Sequence, residues 1–213
     1  IHSGDEARVF LRKLHQLIRY LGISDADMEK GSMRLEPNIS VREIAASREA
    51  GSRNDKELPK YKVEVKNINS FGFVKKAIEY EVKRHIEILE KGETPVQETR
   101  GWNEDKGVTY SQRLKEEAED YRYFPEPDIP PIRFAEAQIS KLKAQIPELP
   151  EAKKERFVKQ YSLGEYDAEQ ITESVERAEF FEQCVKSVSS VKGVNGKTVT
   201  AKTIANWIIN KKV

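Results

Sequence analysis

The stretch Tyr61-Lys-Val-Glu-Val-Lys-Asn-Ile-Asn-Ser-Phe71 reads as a strand, a tight polar turn and the start of a long helix. Tyr61, Val63 and Val65 fall on one face and Lys62, Glu64 and Lys66 on the other, the side-chain period of two that a strand imposes. The pattern also occurs earlier, where Leu35, Pro37, Ile39 and Val41 oppose Arg34, Glu36, Asn38, Ser40 and Arg42. Pairing of the two strands would gather carboxylates and cations on one side of a sheet. Glu36 and Glu64 could then hold a metal, and Arg34, Lys62 and Lys66 could meet phosphate oxygens. The same mixed charge equally describes the solvated face of an antiparallel sheet.

Beyond the strand, Asn69 and Ser70 are good N-cap residues. Phe71, Val74, Ile78, Val82, His85 and Leu89 then mark one helix face, closed by Gly92. A helix of roughly 20 residues is about 30 Å long. Its unpaired amides would emerge beside the polar strand face and suit an anion, although every strand-to-helix turn shares that property. Before the strand, Pro37 lacks an N–H for a ladder, which predicts an edge strand or a bulge. Residues 44–60 form a polar connection with a helical turn at 45–49. At the N-terminus, Ser3 and Glu6 form a capping box for an amphipathic helix through Ala7, Phe10, Leu11, Leu14, Leu17, Ile18 and Leu21 to Gly22. His15 lies on that helix and is assigned no chemistry.

Downstream, Val96 to Arg100 and Val108 to Arg113 read as a hairpin around Asn103-Glu-Asp-Lys-Gly107. It brings Arg100 and Arg113, either phosphate ligands or plain soluble surface. A helical turn is expected at 114–119. Asp120-Tyr-Arg-Tyr-Phe-Pro-Glu-Pro-Asp-Ile-Pro-Pro131 is too rich in proline for a helix and reads as an extended crossover ending the first domain. Short capped helices follow at 140–145, 150–161, 168–188 and 200–211, with Gly164 as a C-cap and Asp167 and Thr200 as N-caps. The fold class is therefore α+β: an antiparallel sheet with packed helices over residues 1–133, then a helical bundle over 134–213.

Lys+Arg and Asp+Glu nearly cancel at +1, so the molecule as a whole is not a polyanion binder by charge. The last 31 residues, however, carry six lysines and no acid, a net +6. The single cysteine, Cys184, excludes an internal disulfide and a cysteine-based zinc site and suits a reducing compartment. Among Phe180, Phe181 and Val185 it reads as a small core residue. No apolar run is long enough to span a membrane and no signal peptide opens the chain, so a cytoplasmic protein is expected. The start at Ile1, without a methionine and directly before a helix cap, reads as a piece of something longer.

Five stretches in order carry a resemblance. Met28-Glu-Lys-Gly-Ser-Met-Arg34, Asn38-Ile-Ser-Val-Arg42, Val63-Glu-Val-Lys-Asn-Ile-Asn-Ser-Phe71, Gln97-Glu-Thr-Arg-Gly-Trp102 and the 120–131 stretch closely resemble the B-type subunits of the aspartyl/glutamyl-tRNA amidotransferases. Leu149-Pro-Glu151, Arg156-Phe157, Tyr166-Asp-Ala168 and Ala205-Asn-Trp-Ile208 continue it through the second domain. The resemblance implies part of a cradle-like catalytic domain followed by a helical domain, with the first cradle segment and a tRNA-binding tail domain outside this sequence. It further implies that ATP and Mg2+ are used to phosphorylate the side-chain carboxylate of Glu or Asp mischarged on tRNA(Gln) or tRNA(Asn). Ammonia from a partner amidase (glutaminase) subunit then displaces the phosphate, in a heterotrimer completed by a small accessory subunit.

Carried over position by position, the matching motifs hold Glu29, Arg34, Asn38, Glu64, Lys66, Asn67, Asn69, Arg113 and Arg122. The strand alternation independently groups Arg34, Asn38, Glu64 and Lys66, which are the expected catalytic set. Asn67, Asn69, Arg113 and Arg122 are the expected ATP-binding set, and Glu29, Glu36 and Glu64 the expected metal ligands. Glu36-Pro37 departs from the Asp-Ala of many bacterial members but keeps a carboxylate. With earlier metal ligands lying upstream of Ile1, this piece alone is expected to be inactive. A second reading makes it a non-catalytic module docking tRNA and the amidase through the basic segment from Lys186 to Lys212.

Overall fold

The computed structural model describes residues 1–42, 59–114, 127–188 and 199–211. It divides into two units, one of Ile1–Arg12 with Asp27–Ile129, the other of Lys13–Ala26 with Pro130–Val213.

In the first unit, strands β1 (Asn38–Ile39), β2 (Val63–Lys66), β3 (Glu98–Asn103) and β4 (Val108–Leu114) form a sheet in the order β1-β2-β3-β4. β1 runs antiparallel to β2, with Asn38 opposite Glu64 and Ile39 opposite Val63. It is an edge strand, as Pro37 requires; the Pro37 carbonyl still accepts the Val65 N–H at 2.9 Å. The expectation of an antiparallel sheet is corrected at the next pairing. β2 and β3 are parallel, with Glu64 opposite Thr99 and Lys66 opposite Gly101. Helix α2 (Phe71–Glu90) lies between them in sequence, and a long crossover of that kind is what a parallel pair needs. β3 and β4 form the expected hairpin, antiparallel, with a bulge at Thr99/Arg100 and a turn ending at Gly107, whose φ is +64°.

Ser70 caps α2, its hydroxyl accepting the Phe73 N–H at 3.1 Å. The core of the unit lies on the sheet face away from Glu64, where Val63, Val65, Ile39 and Trp102 meet Val74 and Ala77 of α2. The buried side of α2 is Val74, Ala77, Glu81 and His85, rotated from the face expected through Ile78 and Val82. Helix α1 (Gly4–Leu21) opens with the Glu6 N–H on Ser3 Oγ at 3.1 Å, while the Glu6 carboxylate caps His2 N rather than closing a box on Ser3. Phe10, expected on the apolar face, is half exposed. Gly4 lets α1 approach α2 closely, since a Cβ there would lie 3.0 Å from the Lys75 carbonyl oxygen.

The second unit contains α3 (Glu136–Gln145), α4 (Pro150–Tyr161), α5 (Glu165–Ile171), α6 (Val175–Val188) and α7 (Ala201–Lys211). Phe157, Ile171, Phe181 and Ile208 form its core, with the Phe157 and Phe181 rings 5.1 Å apart and Tyr161 edge-on to both. Cys184 packs against this core, as expected. The sequence pattern predicts one helix over 168–188, but the chain breaks at Thr172. Its hydroxyl donates to the Ala168 carbonyl at 2.8 Å, and its own carbonyl accepts the Tyr20 hydroxyl at 2.7 Å and Gln16 Nε2 at 2.8 Å. A carbonyl so engaged is not needed by a continuing helix, and Ser174 restarts the turn by accepting the Arg177 N–H. Gly164 stands before α5 as its N-cap, not as a C-cap; Ser162, with φ +53°, ends α4. Asp167 lies within the first turn of α5, and Thr200 does cap α7.

Candidate functional site

Pairing across the sheet sets one row of side chains over all four strands: Asn38, Glu64, Thr99 and Arg113 are successive partners. The next row holds Lys66, Gly101 and Tyr110. Residues directly opposite on neighbouring strands point to the same face, so these rows are one surface. Arg34, Glu36, Asn38 and Arg113 are exposed and Glu64 and Lys66 half-buried, whereas Leu35, Ile39, Val63 and Val65 are buried. The alternation read from sequence therefore holds.

Lys66 Nζ lies 3.9 Å from Glu64 Oε1 and 3.8 Å from Glu36 Oε2, a cation between two carboxylates. The Thr99 hydroxyl donates to Glu64 Oε2 at 3.1 Å. Gly101 makes room for the β4 side chains above it, because a Cβ there would fall 2.6 Å from Tyr110 Cζ and 2.7 Å from Gln112 Nε2. Asn67 has φ +63°, a conformation asparagine tolerates, and its Nδ2 donates to the Trp102 carbonyl at 3.3 Å. It thereby shapes the turn that leads from β2 to α2, where Asn69 is exposed.

Glu29 is exposed in the turn after α1, its N–H donating to Asp27 Oδ1 at 2.9 Å. Among the described residues no three His, Cys, Asp or Glu side chains gather to hold a metal, so Glu29 does not form a three-carboxylate cluster with Glu36 and Glu64. By donor chemistry the two carboxylates beside Lys66 are compatible with Mg2+, which is commonly held by one or two carboxylates with phosphates and water completing its shell. Arg122 lies outside the described residues. Thr99 lies in the Gln97–Trp102 stretch that carries the resemblance, but only the strand register reveals that it stands opposite Glu64.

On the far face of the same sheet lies a buried charge network. Glu81 and His85 are fully buried. Glu81 accepts from Arg84 Nη2 at 2.7 Å and from the Thr109 hydroxyl, and Arg100 Nε is 3.1 Å away. Arg100 Nη1 also donates to Glu98 Oε1 at 2.6 Å, and the Ser111 hydroxyl to Glu98 Oε2. Burial pushes the Glu81 carboxyl up, but hydrogen bonds from His85, Arg84 and Thr109 outweigh it and hold it at about 2.

The family model described as the GatB/GatE catalytic domain matches residues 1–140. A Thermotoga maritima protein, named as the B subunit of an aspartyl/glutamyl-tRNA(Asn/Gln) amidotransferase, is 46% identical over 211 residues, 99% of this chain and 40% of that protein. Proteins of the same name from Caldicellulosiruptor saccharolyticus and Thermodesulfovibrio yellowstonii are 49% and 47% identical, covering 92% and 98% of this chain and 38% and 40% of their own lengths. The chain thus spans about two fifths of the length of these curated relatives.

Proposed function

The chain belongs to the GatB/GatE catalytic-domain family, and on that premise we propose that it is part of the subunit that activates a mischarged aminoacyl-tRNA for amidation. The observation carrying this reading is the continuous polar surface of Asn38, Glu64, Thr99 and Arg113 with Lys66 and Glu36 beside it. A carboxylate is a poor acyl donor because it would have to expel oxide. In the proposed reaction an oxygen of the Glu or Asp side chain attacks the γ-phosphorus of ATP, the bond to the β-phosphate oxygen breaks, and ADP leaves. Ammonia, supplied by an amidase subunit, then adds to the carbonyl of the acyl phosphate. The carbon–oxygen bond to phosphate breaks, a proton is lost from nitrogen, and the amide remains.

In this scheme Lys66 and Arg113, with Arg34 along the same edge, meet the charge on the transferring phosphoryl oxygens, the main requirement of phosphoryl transfer. Glu64 and Glu36 keep Lys66 in place, and Asn38 and Asn69 supply neutral donors around the nucleotide. Magnesium, bound through Glu64 and Glu36 together with the phosphates, would neutralise further charge. In this reading a small accessory subunit completes the assembly and the complex works in the cytoplasm. Among the described residues no helix is long and apolar enough to cross a membrane.

The second reading, a tRNA-docking module, is favoured by α7, which has no acidic residue, exposes Lys202 and Lys211, and leaves Trp207 54% exposed. One experiment separates the two. The full-length subunit with its amidase partner is given tRNA(Gln) carrying Glu and tRNA(Asn) carrying Asp, and ADP release and amide formation are followed over a salt series. ATP-dependent amide on either tRNA supports the enzymatic reading. Salt-sensitive tRNA binding without ADP release leaves only docking.

A further inference from the structure

β3 is fixed at two points on either side of Thr99. Glu98, 5% exposed, is held by Arg100 at 2.6 Å and by the Ser111 hydroxyl, with Arg84 Nη2 at 3.5 Å. Arg100 in turn reaches Glu81 at 3.1 Å and the Thr109 hydroxyl and carbonyl at 2.8 and 3.1 Å. All of these groups lie on the face of the sheet that α2 covers. Thr99, one residue from each clamp, faces the opposite way, is 7% exposed, and donates its hydroxyl to Glu64 Oε2. Opposite the Thr99–Arg100 step β4 carries one extra residue, Gln112, a bulge that brings Arg113 opposite Thr99 without breaking the sheet.

We propose that Thr99 is a positioning residue whose hydroxyl sets the direction of the Glu64 carboxylate, and that the Glu98–Arg100 clamp on the far face holds Thr99 in the register this requires. A partly exposed glutamate has several rotamers within reach, and a buried, backbone-fixed donor on one oxygen removes most of that freedom. The acceptor is a charged carboxylate, and at 3.1 Å the bond serves direction more than strength. Outer partners of this kind orient a ligating carboxylate, and their loss typically costs about 10- to 100-fold in affinity or rate. The inference rests on the functional reading above, because it gives Glu64 its work.

The test uses the full-length subunit with its amidase partner, as Thr99→Val and Thr99→Ser. Mn2+ serves as the probe of the carboxylate site and is titrated by electron paramagnetic resonance without tRNA. In parallel, kcat and KM for ATP are measured in amidation, together with the melting temperature. Thr99→Val, nearly isosteric, should weaken Mn2+ binding and lower kcat by roughly 10-fold or more while the melting temperature holds. Thr99→Ser, which keeps the hydroxyl, should restore most of both. Wild-type Mn2+ affinity and kcat in Thr99→Val, or equal losses in Val and Ser, would overturn the proposal. Absence of ATP-dependent amidation in the wild-type complex would overturn the functional reading instead, and the Mn2+ titration alone would then decide the role of Thr99.

Discussion

Glu81 is a buried carboxylate that the apolar pattern of α2 does not announce. Its carboxyl is held at about 2, against 4.5 for a free glutamate. A depressed folded value contributes stability that is complete above the unfolded value and is lost as pH falls through the folded one. The contribution at neutral pH is about 3 kcal/mol, fading between about pH 5 and 2. Unfolding of the full-length subunit by urea at successive pH values should show that decline. Glu81→Gln should flatten it and lose roughly 3 kcal/mol at neutral pH, because Arg84, Arg100 and Thr109 lose a charged acceptor while Arg100 keeps Glu98. An unchanged pH profile in the variant would show that Glu81 does not carry the acid sensitivity. Apolar periodicity points to Ile78 and Val82 because it treats a carboxylate as surface; the cations that let Glu81 turn inward sit on α2 itself and on β3, and only the latter's register places Arg100 against it. Thr99 is hidden in the sequence for the same reason, whereas Glu64 and Lys66 are legible from strict alternation within one strand.

At the level of elements, local signals are legible where they are self-contained. Ser70 and Thr200 cap the helices they precede, and Pro37 marks an edge. Signals that depend on a distant partner are not. The parallel direction of β3 against β2 follows from where α2 delivers the chain, and the break at Thr172 follows from hydrogen bonds that Gln16 and Tyr20 bring to its carbonyl. The bundle core makes its own prediction. Phe181 is fully buried against Phe157 and Tyr161, so Phe181→Ala should cost about 3–5 kcal/mol in thermal or urea unfolding. A loss under about 1 kcal/mol would mean that this aromatic cluster does not hold the helices together.

Across the whole molecule, the proposed function places ATP-dependent activation of a carboxylate on the sheet face of Asn38, Glu64, Lys66 and Arg113. The likeness to its relatives covers nearly the full chain at 46–49% identity, yet the chain spans only about two fifths of their length, so the proposed function is to be measured in the full-length subunit together with the amidase subunit proposed for it. Glu64 is the position to change, since Lys66 lies 3.9 Å from it, the Thr99 hydroxyl donates to it and Asn38 stands opposite it in the sheet. The direct measurement follows transfer of label from ATP carrying a radioactive γ-phosphate to a mischarged tRNA by the Glu64→Gln complex, with glutamine hydrolysis recorded in the same reaction. Acyl-phosphate formation should fall by at least about 100-fold while the proposed amidase subunit still releases ammonia. Label transfer at the wild-type rate would contradict it.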